Sequence, residues 1–425
     1  MELFARFKKD YFNYLISIIL PALISGLSIP VFKNLLGAEG YGHFSIWLNA
    51  VLIITAVLSG WIAQSIIRFY PTSSDKYSFS RKAIILSAQT QFIFFIPFSF
   101  ATWYISHDLI LAILCPSVLL ATSIQFTILP IIQSSFLSRK IIFSETIRIV
   151  SYVGSAIFLL KLSGIPYLYS LFVAVFGSYF ISLFYLINQA HQYFRNQINI
   201  EKNKTESIPL FKSFFKYGAP LSLWFVFSYL LSYIDKLFML KYFGGEAQGN
   251  YQAIFDLLFR SITLIISPIV TSLFPILTAA YVKGDKAEIR EFLKKIILYE
   301  LSGFLLVTIL YWWFGFNLLF YILKIPQTGT YRLMGFIVIC GTFIFQIAIL
   351  AQKRYELNLK SHFLLKMVII AFITQVSFYV VFRDFNGQLL YPLGFLLSTT
   401  VYLFLLSFSE IWTFSKSLML KLKRG

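Results

Sequence analysis

Long apolar segments separated by short polar ones recur along the whole chain. One helix needs about 20 consecutive apolar residues to cross a bilayer. The pattern predicts about twelve spanning helices, over residues 12–36, 43–67, 83–105, 109–136, 146–162, 166–190, 217–241, 251–279, 296–314, 333–352, 363–382 and 389–412. Prolines within 109–136 leave the division between residues 109 and 162 open. We therefore predict an all-α, polytopic membrane protein.

The composition supports this prediction. Of the 425 residues, 58% are hydrophobic and 13% are charged, against about 25% charged in soluble domains. The first segment, which follows Arg6, Lys8 and Lys9, is longer than a signal-peptide core of roughly 7–15 residues, so we interpret it as a span. A net charge of +18 would suggest nucleic acid in a soluble protein. Here the charges lie in loops, so we expect no nucleic-acid partner.

The distribution of basic residues predicts the orientation. With the N-terminus inside, 28 of the 36 lysines and arginines fall in cytoplasmic segments and six in outside loops. Cytoplasmic loops are enriched in Lys and Arg, so this bias predicts that both termini are cytoplasmic. The expected location is the cytoplasmic (inner) membrane. In the longest outside loop, residues 315–332, the apolar piece 316–323 is expected to dip back into the membrane.

The chain is predicted to form two halves. A polar stretch near mid-chain predicts an N-terminal six-helix lobe over 1–200, a cytoplasmic linker over 201–212 and a C-terminal six-helix lobe over 213–425. Gly-rich turns with one glutamate occur at 37–42 and at 244–249. These turns indicate an internal repeat of two lobes in the same orientation, as in several transporters.

The sequence lacks the common motifs of nucleotide-binding proteins and of serine hydrolases. We find no Walker A motif, no G-x-G-x-x-G and no Gly-x-Ser-x-Gly. The two cysteines and four histidines have no metal-ligand spacing. The sequence therefore predicts no enzyme, no metal and no cofactor other than a coupling proton or sodium ion.

The remaining candidates are charges at membrane depth, which are costly and usually functional. Asp235 and Lys236 lie in the seventh span, and Asp256 and Arg260 lie one helical turn apart in the eighth. Lys33 lies near the outer end of the first. We predict that Arg260, Lys236 and Lys33 are substrate-binding cations in a cavity, and that Asp235 and Asp256 are possible ion-coupling carboxylates. For Arg260 a packing pair with Asp256, and for the lysines snorkelling to the interface, remain alternatives.

Two stretches resemble a known family. Residues 35–47 read LLGAEGYGHFSIW, and residues 233–240 read YIDKLFML, followed by GNYQA at 249–253. These are similar to the Wzx-type oligosaccharide-lipid flippases, which are polysaccharide-biosynthesis membrane proteins in the superfamily of multidrug and toxin extrusion (MATE) antiporters. The resemblance implies two six-helix lobes around a central cavity and alternating access. It also implies that Lys33 and Arg260 are the counterparts of cavity cations, although an arginine would be expected in place of Lys33.

The resemblance predicts a flippase for a polyprenyl-pyrophosphate-linked oligosaccharide, such as the repeat unit of O-antigen, capsule or a similar surface polysaccharide. The expected partners are that glycan lipid, membrane lipids and other polysaccharide-assembly proteins, including a glycan polymerase. A cation-coupled drug antiporter is the alternative within transport, although the arginine in the eighth span disfavours it. A membrane glycosyltransferase or polymerase is the alternative of another class, but a large outside loop for catalysis is missing.

Overall fold

A computed structural model of the chain describes residues 2–70, 73, 75–135, 138–162, 164–198, 210–283, 286–357, 360–384 and 387–422. These residues form helices and no strand. The helices are α1 (Glu2–Phe69), α2 (Lys76–Ser106), α3 (Leu109–Ser134), α4 (Ser138–Leu162), α5 (Tyr167–Ile198), α6 (Leu210–Leu231), α7 (Ile234–Lys283), α8 (Lys286–Leu310), α9 (Phe316–Leu323), α10 (Gly329–Leu357), α11 (Ser361–Val381) and α12 (Leu390–Leu422). The predicted all-α class is confirmed.

Ten stretches of described helix are long and apolar enough to cross a membrane. Two of them, Gly26–Phe69 and Phe214–Leu264, have 44 and 51 residues, which is about twice what one crossing needs. Each contains a break in the helix. The chain is therefore a multi-pass membrane protein, while the number twelve stays a prediction.

The breaks in α1 and α7 have the same backbone geometry. Gly37 has φ 74° and ψ 173°, and Gly244 has φ 81° and ψ 176°. Only glycine adopts this region without strain, because a Cβ would clash with the backbone. Both glycines open the Gly-rich turns found in the sequence, so the predicted internal repeat is supported by the conformation of the chain.

Two helices run further than the sequence predicted. The apolar piece 316–323 is not part of a loop, because α8 continues through a π-helical turn, Tyr311–Gly315, directly into α9. The predicted span over 146–162 is part of a longer helix, since α4 starts at Ser138. The first turns of α4 carry charges that a hydropathy argument assigns to a loop.

The chain forms two compact units, which we describe separately. The first unit is Leu23–Tyr229, and the second is Leu230–Gly425 with Met1–Ala22. Most of the predicted linker at 201–212 lies outside the described residues. In this division α6 belongs mainly to the first unit, whereas the sequence prediction had placed it in the second lobe.

Small residues bring α6 against α1 within the first unit. Ser65 Oγ donates to the carbonyl of Phe214 at 2.9 Å, and Ser222 Oγ to that of Ala56 at 2.6 Å. A Cβ at Gly218 would overlap the carbonyl oxygen of Trp61. In lipid no hydrophobic effect drives helices together, so they associate through close backbone packing at small residues.

The start of α3 in the first unit is fixed by a helix cap. The Asp108 carboxylate accepts hydrogen bonds from the backbone N–H groups of Ile110 and Leu111 at the start of α3, and from the hydroxyl of Tyr169 on α5 at 2.6 Å. Burial acts to raise the pKa of Asp108, but these hydrogen bonds together hold it below its ordinary value. The cap therefore ties the start of α3 to α5.

Candidate functional site

The second unit contains a fully buried ion pair at the start of α7. Lys236 Nζ lies 3.0 Å from the carboxylate of Asp235, and neither side chain is exposed. The hydroxyl of Tyr251 donates to the same carboxylate at 2.5 Å, and the backbone N–H of Lys236 donates to it at 2.9 Å. The carboxylate thus has several donors, as a buried charge requires.

A break in the helix explains why a lysine is buried here. α6 ends at Leu231 and α7 starts at Ile234, inside a stretch that is otherwise apolar enough to span the membrane. Such a break leaves backbone carbonyls without their helical donors, and lipid supplies no replacement. Lys236 Nζ donates to the carbonyl of Ser232, and Gln375 Nε2 on α11 donates to that of Leu231 at 3.0 Å.

Aromatic rings enclose the ammonium group of Lys236. It lies 3.1 Å from the ring centroid of Phe255 and 5.3 Å from that of Tyr251, an arrangement that favours a cation. Tyr379 on α11 accepts a hydrogen bond from Gln375 Nε2 at 2.9 Å and donates to the carbonyl of Tyr391 at 2.8 Å. Helices α7, α11 and α12 are thus joined around one polar cluster, which we call the broken-helix site.

The structure brings three of the five predicted residues together. Asp256, which directly follows Phe255 on α7, acts electrostatically on Lys236. Arg260 lies one turn further along α7 and its side chain is exposed. Lys33 lies in α1 of the first unit and is only 5% exposed. Of the three predicted cations, Lys236 is therefore enclosed by its partners, and Arg260 is the accessible one.

Sequence reasoning missed the partners of the ion pair. Tyr251 is 16 residues from Asp235, which it binds, and Gln375 is 144 residues from Leu231. Tyr379 joins Gln375 to the carbonyl of Tyr391 on α12. A tyrosine or glutamine in an apolar segment looks like many others in this chain, and its role depends on which helix faces it. The one available signal was the GNYQA stretch, which contains Tyr251.

A second charged group, missed in the sequence, lies in the first unit. Arg148, which charge counting had assigned to the cytoplasmic side, lies within the candidate span Lys140–Lys161 of α4. Its Nη2 and Nε lie 2.7 and 3.0 Å from Glu145 Oε2, and its guanidinium stacks over the ring of Tyr179 at 4.8 Å. Gln125 on α3 donates to the other oxygen of Glu145 at 2.5 Å. The group therefore links α3, α4 and α5.

No group of His, Cys, Asp and Glu suited to a metal ion occurs among the described residues. The broken-helix site instead provides a carboxylate, an ammonium group and hydroxyls. Discontinuous helices of this kind form substrate and ion sites in many transporters, because freed backbone groups and side chains line a protected position near the bilayer midplane.

The family model for polysaccharide biosynthesis proteins matches residues 7–281, which is more than half of the chain. The chain belongs to the polysaccharide biosynthesis protein family. The match includes both stretches that carried the resemblance in the sequence, 35–47 and 233–253, so the predicted family is confirmed. No curated protein matches this family member significantly.

Solved structures of the MOP superfamily share the fold of this polysaccharide biosynthesis protein. A MATE transporter from Vibrio cholerae has a TM-score of 0.74 at 13% identity, with 98% of this chain and 99% of that chain covered. An outward-facing multidrug resistance MATE family transporter has a TM-score of 0.70 at 12% identity, with 99% and 97% covered. A Pyrococcus furiosus transporter, whose binding pocket is described as having reverse polarity, has a TM-score of 0.69 at 13% identity, with 96% of each chain covered.

These likenesses confirm the predicted MATE-like fold. Together with the family, they indicate a membrane flippase or transporter and agree with the prediction that the protein is not an enzyme.

Proposed function

We propose that the protein flips a polyprenyl-pyrophosphate-linked oligosaccharide from the inner to the outer leaflet by alternating access. The observation that carries the proposal is the family match over residues 7–281 on a chain with a transporter fold. A pyrophosphate and several sugars cannot enter hydrocarbon unaided, because burying unpaired polar groups is very costly. A path lined by polar and cationic side chains replaces their hydration, and the prenyl tail stays in lipid.

Arg260 is the cation best suited to the pyrophosphate. It lies inside the candidate spanning stretch Phe214–Leu264 and its side chain is exposed. A guanidinium binds phosphate oxygens in a bidentate fashion. Lys236 would reach a phosphate only after its pair with Asp235 opens, and Lys33 would act from the first unit. Asp235 and Asp256 are the carboxylates proposed to respond to a coupling ion.

The test is Arg260→Ala in cells that lack their own copy of the gene. We expect loss of the surface polysaccharide and accumulation of its lipid-linked repeat unit, with the protein present in the membrane at normal level. Arg260→Lys should restore only part of the export, because a lysine lacks the fork of donors. The matched control is Arg383→Ala, since Arg383 lies just after α11 and is 61% exposed in its pair with Asp384. Normal polysaccharide in the Arg260→Ala cells would refute the role of this cation.

A separate experiment tests the proposed orientation of the protein in the membrane. We propose a location in the cytoplasmic membrane with both termini cytoplasmic, and cooperation with a glycan polymerase and other assembly proteins. A reporter fused to the C-terminus that is active only in the cytoplasm should be active. A silent reporter on a correctly inserted protein would overturn this orientation.

A drug antiporter is the second candidate, and the multidrug resistance MATE family transporters that share the fold favour it. In that case deletion of the gene should sensitise cells to cationic dyes and leave the surface polysaccharide unchanged. The proposed flippase requires the opposite pattern of results.

A further inference from the structure

Glu300 is a buried carboxyl group near the middle of α8. It lies on the same face as Leu293 and Ile296, which are 3% and 1% exposed, and Glu300 itself is 3% exposed. This face packs against α7 and α10, where Phe304, one turn further along α8, contacts Phe343 with ring centroids 5.2 Å apart. The carboxyl group therefore points into the packed interior of the second unit.

Neither oxygen of Glu300 has a hydrogen-bond partner. Two polar side chains on the facing helices are bonded to each other, since Gln346 Nε2 on α10 donates to Thr263 Oγ1 on α7 at 2.9 Å. Asp235 is equally buried but has an ammonium group, a hydroxyl and a backbone N–H as donors. This difference in hydrogen-bond partners favours an ionised Asp235 and a neutral Glu300. An ionised carboxylate without partners in an apolar interior has a far higher free energy than a neutral carboxyl group.

Charged and titratable groups do occur on the elements packed against Glu300. Among the described side chains these are Asp235, Lys236, Lys241, Tyr242, Glu246, Tyr251, Asp256 and Arg260 on α7, Glu291, Lys294, Lys295 and Tyr299 on α8, Tyr311 in the π-helical turn, and Tyr331, Arg332, Cys340, Lys353, Tyr355 and Glu356 on α10. None of them forms an ion pair or hydrogen bond with Glu300. Lys295 pairs with Glu291 at 2.8 Å, Lys353 pairs with Glu356 at 2.8 Å, and Tyr311 donates to the carbonyl of Arg332.

The helix that carries Glu300 has a local irregularity on the C-terminal side of this residue. α8 passes through the π-helical turn Tyr311–Gly315 before it continues as α9. π-helical turns are rare and occur mostly at functional sites. Here the turn interrupts the regular α-helical hydrogen bonding between the part of α8 that carries Glu300 and α9.

We propose that Glu300 is a proton-binding site. Its carboxyl O–H is formed while the side chain is buried, and the proton passes to water when movement of α8 against α7 and α10 hydrates the group. On the proposed flippase function, on which this second step rests, one proton would be taken up and released in each transport cycle. Glu300 was not among the carboxylates that the sequence suggested for ion coupling.

Infrared spectroscopy tests the proton site independently of transport. The spectrum of the purified protein in lipid nanodiscs at neutral pH should contain the C=O stretch of a protonated carboxyl group, and Glu300→Gln should lose that band. The substitution replaces the neutral carboxyl with a neutral amide of the same shape, so the variant should fold. Glu246→Gln is the matched control, because Glu246 is exposed, and it should leave the band unchanged. A band that persists in Glu300→Gln would overturn the proposal, as would its absence from the wild type.

Flipping of the glycan lipid in vesicles, with and without a pH gradient, tests the coupling. We expect the gradient to accelerate the wild type and to have no effect on Glu300→Gln, with Glu300→Asp keeping part of the response. A Glu300→Gln protein that keeps the full response would overturn coupling through this residue. If the wild type flips no glycan lipid while its infrared band is present, the proposed function fails and the proton site stands.

Discussion

Replacing Lys236 by methionine removes one partner of a buried ion pair and keeps the length of the side chain. In the structure neither Lys236 nor Asp235 is exposed, and their charged groups lie 3.0 Å apart. Breaking such a pair costs about 3–5 kcal/mol, because the remaining charge is left buried without its counter-ion. Asp235 keeps the hydroxyl of Tyr251 and one backbone N–H, so we expect the lower end, about 3 kcal/mol.

The carbonyl of Ser232 adds to this loss. It accepts a hydrogen bond from Lys236 Nζ at the break between α6 and α7. Methionine cannot replace this donor, and a lost hydrogen bond costs about 1 kcal/mol. Lys236→Met should therefore lower the free energy of unfolding by about 4 kcal/mol in total.

A double-mutant cycle separates the pair from its surroundings. Asp235→Asn should also cost about 3 kcal/mol, since the ammonium group is then left buried without its counter-ion. The double variant buries no net charge, so it should be more stable than the sum of the single changes by on the order of 3 kcal/mol. The measurement is equilibrium unfolding in mixed micelles at neutral pH.

A surface pair provides the control for this cycle. Lys295 and Glu291 lie 2.8 Å apart, but their side chains are 57% and 71% exposed, so Lys295→Met should change the stability little. If Lys236→Met lowers the stability no more than this control, the pair of Lys236 and Asp235 is accessible to water and our reasoning about it is refuted. Additive effects of Lys236→Met and Asp235→Asn would refute it as well.

Three further predictions concern packing, capping and the charged group of the first unit. Gly218→Ala should lower stability by about 1–3 kcal/mol through overlap with α1, whereas Gly177→Ala, which has open space around it, should be neutral or stabilising by up to about 1 kcal/mol; thermal unfolding of both compares them. Asp108→Ala should cost about 1 kcal/mol at pH 7, and the difference from wild type should shrink as the pH falls below about 4, because a carboxyl with a lowered folded-state pKa stabilises above its unfolded pKa of about 3.9 and loses that contribution on protonation. Arg148→Ala should destabilise more than the double change with Glu145→Gln, since the single change leaves a carboxylate without its counter-ion; equal unfolding midpoints would contradict this.

The pattern of hydropathy was sufficient for the class of the fold. Spanning helices are determined by local composition, because each must satisfy its own backbone hydrogen bonds in lipid. The Gly-rich turns at 37–42 and 244–249 were visible for a similar local reason, since the conformation of Gly37 and of Gly244 is open to glycine alone. The continuous helix through α8 and α9 could not be predicted from the sequence. A glycine and two tryptophans near residue 313 are typical of a loop, but they form a π-helical turn instead.

The sequence by itself therefore determined that this chain crosses the membrane repeatedly, that it repeats a Gly-rich turn, and that Asp235, Lys236, Asp256 and Arg260 lie within apolar segments. Tertiary structure alone decided what those charges do. Lys236 is enclosed by Asp235, Phe255 and an unwound turn, Arg260 is exposed, and Glu300 is buried without any partner. The reason is that burial and pairing depend on groups from other helices, which the spacing along one helix cannot show.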